Sequence, residues 1–209
     1  MQIEIAVNGT PVRADVDPRT LLLDFVRDVA ELTGTRNGCL EARCGCCSVL
    51  LDGGLVKSCN VLAAQANGRA VDTVEGLASS DATSVEDTTT EGSIGAYRPL
   101  TVRGVDPSAL HPLQTAFHEL GALQCGYCTS GMLMTLCEFL EREPSPSEAD
   151  VREALRGNLC RCTGYQSIVD AALLAAERMR ETRPVVDVGS SVGKPAADSG
   201  EIPTAPPSA

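Results

Sequence analysis

The stretch Cys39-Leu-Glu-Ala-Arg-Cys-Gly-Cys-Cys47 puts four sulfurs into nine residues. Thiolates at such density hold metal or exchange electrons, and the spacing indicates which. Cys39, Cys44, Cys47 and Cys59 follow C-x4-C-x2-C-x11-C, the plant-type 2Fe–2S pattern. Two irons and two bridging sulfides need four thiolates. Three can come from one tight loop, while the fourth must arrive from a separate element. Structural zinc more often uses paired C-x2-C knuckles, which an x4 gap fits poorly. Cys46 is then the surplus sulfur, a small side chain pointing away from the metal.

A second group is Cys125-Gly-Tyr-Cys128 and Cys160-Arg-Cys162. Each pair is followed by Thr and then by a helical pattern, so Thr129 and Thr163 are expected caps. Two such helix starts would turn their positive dipole ends toward a negatively charged cluster. A C-x-C pair is too tight for an unstrained internal disulfide. Zinc remains an alternative for this group taken alone; beside the first motif, a second 2Fe–2S cluster is favoured. Cys137 lies on an apolar helical stripe and reads as core.

These sulfurs need elements to hold them. Ile3, Ile5 and Val7 alternate, Asn8-Gly9 signals a two-residue turn, and Val12, Ala14 and Val16 resume the alternation, which predicts a β-hairpin. Leu22, Phe25, Val26 and Val29 predict a helix capped by Thr20 and ended by Gly34. Ser48–Asp52 and Leu55–Lys57 flank Gly53-Gly54 as a second hairpin, followed by a short helix near Asn60–Ala66 and a strand near Ala70–Val74. Residues 79–107 are polar, acidic and aperiodic, which reads as a linker. Four amphipathic stripes follow. They run through Leu113, Ala116, Phe117 and Leu120; Leu133, Leu136, Cys137 and Leu140; Val151, Ala154 and Leu155 behind a Ser147 cap; and Val169, Ala172, Leu173 and Ala176. They predict a small bundle. Residues 182–209 are rich in Pro, Ser, Gly and Asp and read as a disordered tail.

The 209-residue chain has a formal charge of −11, and no basic stripe suits a phosphate backbone. It shows no apolar run near the ~18 residues of a membrane span and no signal-peptide pattern, so a cytoplasmic location is expected. Ten cysteines in a reducing compartment hold metal more readily than disulfides. His111, before a proline, and His118, on a polar face, read as packing or surface residues. Tyr127 and Tyr165 beside the cysteines read as shields against water. No nucleophilic triad, phosphate loop or carboxylate pair stands out.

Taken together, the chain resembles the iron–sulfur subunit of the molybdenum hydroxylases, the xanthine oxidase family. The matching stretches are Gly38–Cys47, Val49–Gly53, Ser58-Cys59, Val74–Leu77, His111–Gln114, Ala122–Thr129 and Gly157–Tyr165. The resemblance implies an α+β chain: a β-grasp ferredoxin-like domain over 1–78, then an all-α four-helix bundle over 108–181, each with one 2Fe–2S cluster. It implies Cys39, Cys44, Cys47 and Cys59 as ligands of one cluster and Cys125, Cys128, Cys160 and Cys162 as ligands of the other. It places Gln124 and Cys162 against a molybdopterin in a large partner subunit, with FAD in a medium one. Ala42, Cys46, Ser130 and the long 79–107 segment depart from the family pattern. Two other readings stay open: a free-standing two-cluster redox or sensor protein, and a zinc-binding scaffold.

Overall fold

The computed structural model describes residues 1–78 and 110–182. The expected linker lies outside the described residues, as does the expected tail apart from Thr182.

The first half is built on a five-stranded sheet in the order β2-β1-β5-β3-β4. Strands β1 (Gln2–Val7) and β2 (Thr10–Asp15) form the expected hairpin, with Val7 opposite Thr10. Asn8 and Gly9 take φ of 49° and 78°, the left-handed pair that a tight hairpin turn requires. Strands β3 (Ser48–Leu51) and β4 (Gly54–Lys57) form the second hairpin. Its turn is Asp52-Gly53, one residue earlier than expected, and Gly54 already belongs to β4. Strand β5 (Ala70–Asp72) pairs parallel to β1 and antiparallel to β3, and so joins the two hairpins. Ile3, Ile5 and Val7 pack with Phe25, Val49, Leu51 and Val71 into one core.

The first helix departs from its expected form. A short α1 (Leu22–Asp24) runs into a π-helical turn, Phe25–Val29, in which Ala30 N donates to Phe25 O at 3.0 Å. The wider turn shifts later positions round the axis. Leu22, Phe25 and Val26 are therefore buried, whereas Val29 is 37% exposed. Leu21 rather than Thr20 holds the cap position, without a side-chain cap, because Thr20 O is bonded to Ala63 N at 2.8 Å. The short helix and last strand are shorter than expected: two 3-10 turns, Ser58–Asn60 and Ala63–Ala66, then β5 and a further turn over Val74–Leu77.

Four helices form the second half: α2 (Pro112–Glu119), α3 (Thr129–Arg142), α4 (Glu148–Ala154) and α5 (Gln166–Thr182). They share a core of Leu113, Phe117, Met132, Leu136, Leu140, Val151, Ile168 and neighbours, in which Cys137 is buried as expected. Leu120 falls outside it at 43% exposed. Ser147 caps α4 in a reciprocal box with Asp150. His111 caps α2: its Nδ1 accepts from Leu113 N at 3.2 Å, and Gln114 Oε1 accepts from His111 N. Helix α3 also packs across β3, so all four β3 residues are buried and the halves share a seam. Among the described residues no helix is long and apolar enough to cross a membrane.

Candidate metal centres

The first four cysteines converge from a loop and a turn. The Cys39–Cys47 loop supplies three of them, while Cys59 comes from the 3-10 turn after β4. Cys47 and Cys59 are nearly covered and pack with Leu23. The sulfurs meet in twos. Cys44 N and Glu41 N each donate to Cys39 Sγ at 3.4 Å, and the Cys39 thiol is within bonding reach of Cys44. Cys59 is similarly close to Cys47. The N–H groups of Glu41 and Cys44 hold the Cys39 thiol down to about 7, whereas burial pushes Cys59 up to about 11. Metal must displace those protons, so binding here releases them.

The second four also come in twos. Cys125 and Cys162 lie with their sulfurs 3.6 Å apart and both exposed, and Cys128 is within bonding reach of Cys160. Burial pushes Cys128 up to about 12. Burial pushes Cys160 up, but hydrogen bonds from Thr163, the Cys162 N–H and Cys128 together outweigh it and leave that thiol below its usual value; Thr163 Oγ1 lies 3.1 Å and its N 3.4 Å from Cys160 Sγ. Cys128 directly precedes α3. Thr129 is a helical residue and not a cap, since Cys128 occupies that position. Thr163 Oγ1 serves Cys160 and Tyr165 N at 3.2 Å instead of capping α5. Gln124 is exposed beside Cys125.

Sulfurs arriving as pairs of pairs fit a dinuclear cluster with two thiolates at each iron better than mononuclear zinc. Ser130 adds to the fit. Its buried hydroxyl, two residues after Cys128, has no partner among the described residues, and a buried hydroxyl without an acceptor costs free energy. Cys46, the fifth sulfur at the first set, is also within bonding reach of Cys44. It is buried, its sulfur is 4.0 Å from Cys44 O, and burial pushes its thiol up to about 12.

The seam joins the two sets directly. Leu159 N donates to Cys44 O at 2.9 Å, linking the chain next to Cys160 with a cysteine of the first set. Both tyrosines also brace the cysteine loops. Tyr165 Oη accepts from Cys160 N at 2.7 Å and donates to Asn158 O at 3.0 Å. Tyr127 Oη donates to Asn37 O across the seam, under the Arg36 guanidinium at 5.9 Å. Asn158 and Gly131 both line this seam; the motif-bearing stretch Gly157–Tyr165 is the only sequence signal for Asn158, and Gly131 lies outside every such stretch.

Two family models match the chain: a 2Fe–2S iron–sulfur cluster binding domain over residues 5–78, and a [2Fe–2S] binding domain over residues 101–173. The chain is 43% identical over 173 residues to the nicotine 6-hydroxylase small subunit of Paenarthrobacter nicotinovorans, covering 83% of this chain and 88% of that one. It belongs to the iron–sulfur small subunits of the molybdenum hydroxylase family. Caffeine dehydrogenase subunit gamma of Pseudomonas sp. (strain CBB1) is 42% identical, with 81% and 87% covered. The crystal structure of quinoline 2-oxidoreductase from Pseudomonas putida 86 superposes with a TM-score of 0.69 at 40% identity, over 87% of this chain and 97% of that one. The chain is thus a non-catalytic subunit of an oxidoreductase, and its cofactors are two 2Fe–2S clusters.

Proposed function

We propose that the chain passes electrons from a molybdopterin site in a large subunit to FAD in a medium subunit of a cytoplasmic dehydrogenase complex. In this reading residues 1–78 are a β-grasp ferredoxin-like domain and 108–181 a four-helix bundle, with a linker over 79–107 and a tail over 182–209. Cys39, Cys44, Cys47 and Cys59 hold one cluster; Cys125, Cys128, Cys160 and Cys162 hold the other. Gln124 and Cys162 face the pterin. The observation that carries the reading is two paired cysteine sets bridged by one backbone hydrogen bond, with fully exposed thiols in the second set alone.

A bound 2Fe–2S cluster supplies a one-electron carrier. The chain's own groups prepare its surroundings. N–H donors at Cys39 and Cys160 stabilise thiolate charge, the aliphatic cover of Leu23 limits water at Cys47 and Cys59, and Tyr165 fixes the Cys160 loop. The exposed Cys125 and Cys162 suit the donor side. The first set, half-buried at Cys39 and Cys44 and buried at Cys47 and Cys59, suits the stop between that side and the flavin.

Rapid-mixing spectroscopy of the assembled complex tests the order. With Cys59→Ser, substrate is expected to reduce the second-set cluster at the normal rate while flavin reduction slows by orders of magnitude. With Cys160→Ser, transfer is expected to stop at the first step. Normal flavin reduction in a Cys59→Ser complex proven to lack the first-set cluster would overturn the order. Co-purification of the chain with two larger subunits separates this reading from a free-standing redox protein.

A further inference from the structure

The seam between the halves contains a buried polar network that no cysteine accounts for. Asn158 is 2% exposed. Its Nδ2 donates to Gly45 O at 3.4 Å, and its Oδ1 is 3.1 Å from Thr135 Oγ1. Thr135 Oγ1 also lies 2.8 Å from Gly131 O, so its single proton is shared between two acceptors. Gly45 O additionally accepts from Ser48 Oγ at 2.8 Å, and Ser48 Oγ from Lys57 Nζ at 2.9 Å. The network therefore runs unbroken from β4 through the first cysteine loop to α3 and the second cysteine loop.

Steric fit repeats the message. A Cβ on Gly131 would overlap Gly45 O and lie 2.9 Å from Cys46 Cα. A Cβ on Gly45, whose φ is +74°, would lie 2.7 Å from Asn158 Nδ2. Both glycines are required for backbone to meet backbone here. A buried amide with satisfied partners is costly to disturb, because breaking one contact strands the other. Packed contacts of this kind have one arrangement and do not slide.

We infer that Asn158 is a positioning residue which, with Thr135 and Gly131, fixes the separation between the two cysteine sets. Leu159 N follows Asn158 directly, so holding the amide also holds the bridge to Cys44 O. The inference rests on the two-cluster reading for its consequence, a constant distance between two electron carriers. The lock itself does not depend on metal.

Three variants in the full chain test it: Gly131→Ala as a wedge, Thr135→Val to remove the hydroxyl at nearly constant volume, and Thr135→Ser to restore it. Low-temperature EPR of the reduced protein reads the mutual splitting of the two centres, which falls with the cube of their separation. The splitting is expected to shrink in Gly131→Ala and Thr135→Val at unchanged iron content, and to return in Thr135→Ser. Amide exchange at Leu159 provides a second readout, expected to be about tenfold faster in Thr135→Val, as for a local loss of about 1.4 kcal/mol. Should Gly131→Ala not fold, Thr135→Val and its Ser rescue carry the test. Unchanged splitting and unchanged Leu159 exchange in folded Thr135→Val would overturn the assignment. A wild-type chain without iron would instead sink the two-cluster reading, and Leu159 exchange would still decide the lock.

Discussion

The two cysteine sets each hold two half-buried sulfurs, Cys39 and Cys44 in one and Cys128 and Cys160 in the other, and differ in the remaining two. In the first, Cys47 and Cys59 are 2% and 6% exposed and sit against Leu23. In the second, Cys125 and Cys162 are exposed, and Leu120, Leu123, Tyr127 and Leu159 are exposed apolar or aromatic neighbours in the same chain segments. The cause lies in the supporting elements. Cys47 and Cys59 sit where the loop and the following turn return to Leu23 of α1, while the middle of the loop stays at the surface, with Leu40 52% exposed. Two short motifs ahead of helices meet at a rim, where half of each pair faces outward. An enclosed pair shares its stability with the fold, whereas an open pair is reachable from outside.

The largest expected contrast follows from that difference. Cys47→Ala and Cys162→Ala should each lower iron from about four to about two per chain, since each removes one dinuclear centre. Only Cys47→Ala should also lower the unfolding free energy steeply, by about 3 kcal/mol or more, as loss of an enclosed metal does. Cys162→Ala also removes the binding free energy of its centre, but at an exposed position, so its loss should be the smaller of the two. Iron analysis with denaturant melts reads both quantities, and equal stability losses would break the comparison.

A smaller effect separates the halves by pH. His111 must keep Nδ1 unprotonated to accept from Leu113 N, and burial lowers its pKa. An unfolded histidine titrates near about 6.5, so below that pH the unfolded chain takes up a proton that the folded cap refuses. Stability of the helical half is therefore complete above about pH 6.5 and falls as pH drops through it. Between about pH 7.5 and about pH 5 the loss should approach the ~1 kcal/mol worth of a helix cap. His111→Asn, a cap that does not titrate, should remove this component from pH-dependent melts. An undiminished pH dependence in that variant would assign the effect elsewhere.

The smallest expected effect is at the surplus sulfur. Cys46→Ala should leave iron content and visible spectra unchanged and alter stability by under about 1 kcal/mol. Bleaching would place Cys46 among the ligands and redraw the first set.

Some of this architecture is legible without coordinates. The Asn8-Gly9 turn, the alternation in β1 and the Ser147 cap are local signals, decided by a few neighbouring residues. The π-turn after α1 is not legible, because Phe25–Val29 carries an ordinary helical stripe and only packing against the sheet selects the wider turn. Thr129 and Thr163 look like caps for a similar reason. Their neighbours match a helix start, yet Cys128 takes one cap position and Cys160 engages the other hydroxyl. The His111 cap is not legible in the sequence either, because histidine seldom serves as one.

By itself the sequence determined which atoms are available and at what spacing: two sets of thiols, two hairpin turns, and four apolar helical stripes. Such features act over a few residues, where backbone geometry alone decides what can meet. Only the tertiary structure decided how the sulfurs pair, why Gly45 and Gly131 must lack a Cβ, and what Asn158 holds. The amide of Asn158 and the carbonyl of Gly45 are 113 residues apart, and no local rule relates residues that distant. Their meeting depends on α3 lying across β3, a packing choice made by the whole apolar surface of both halves.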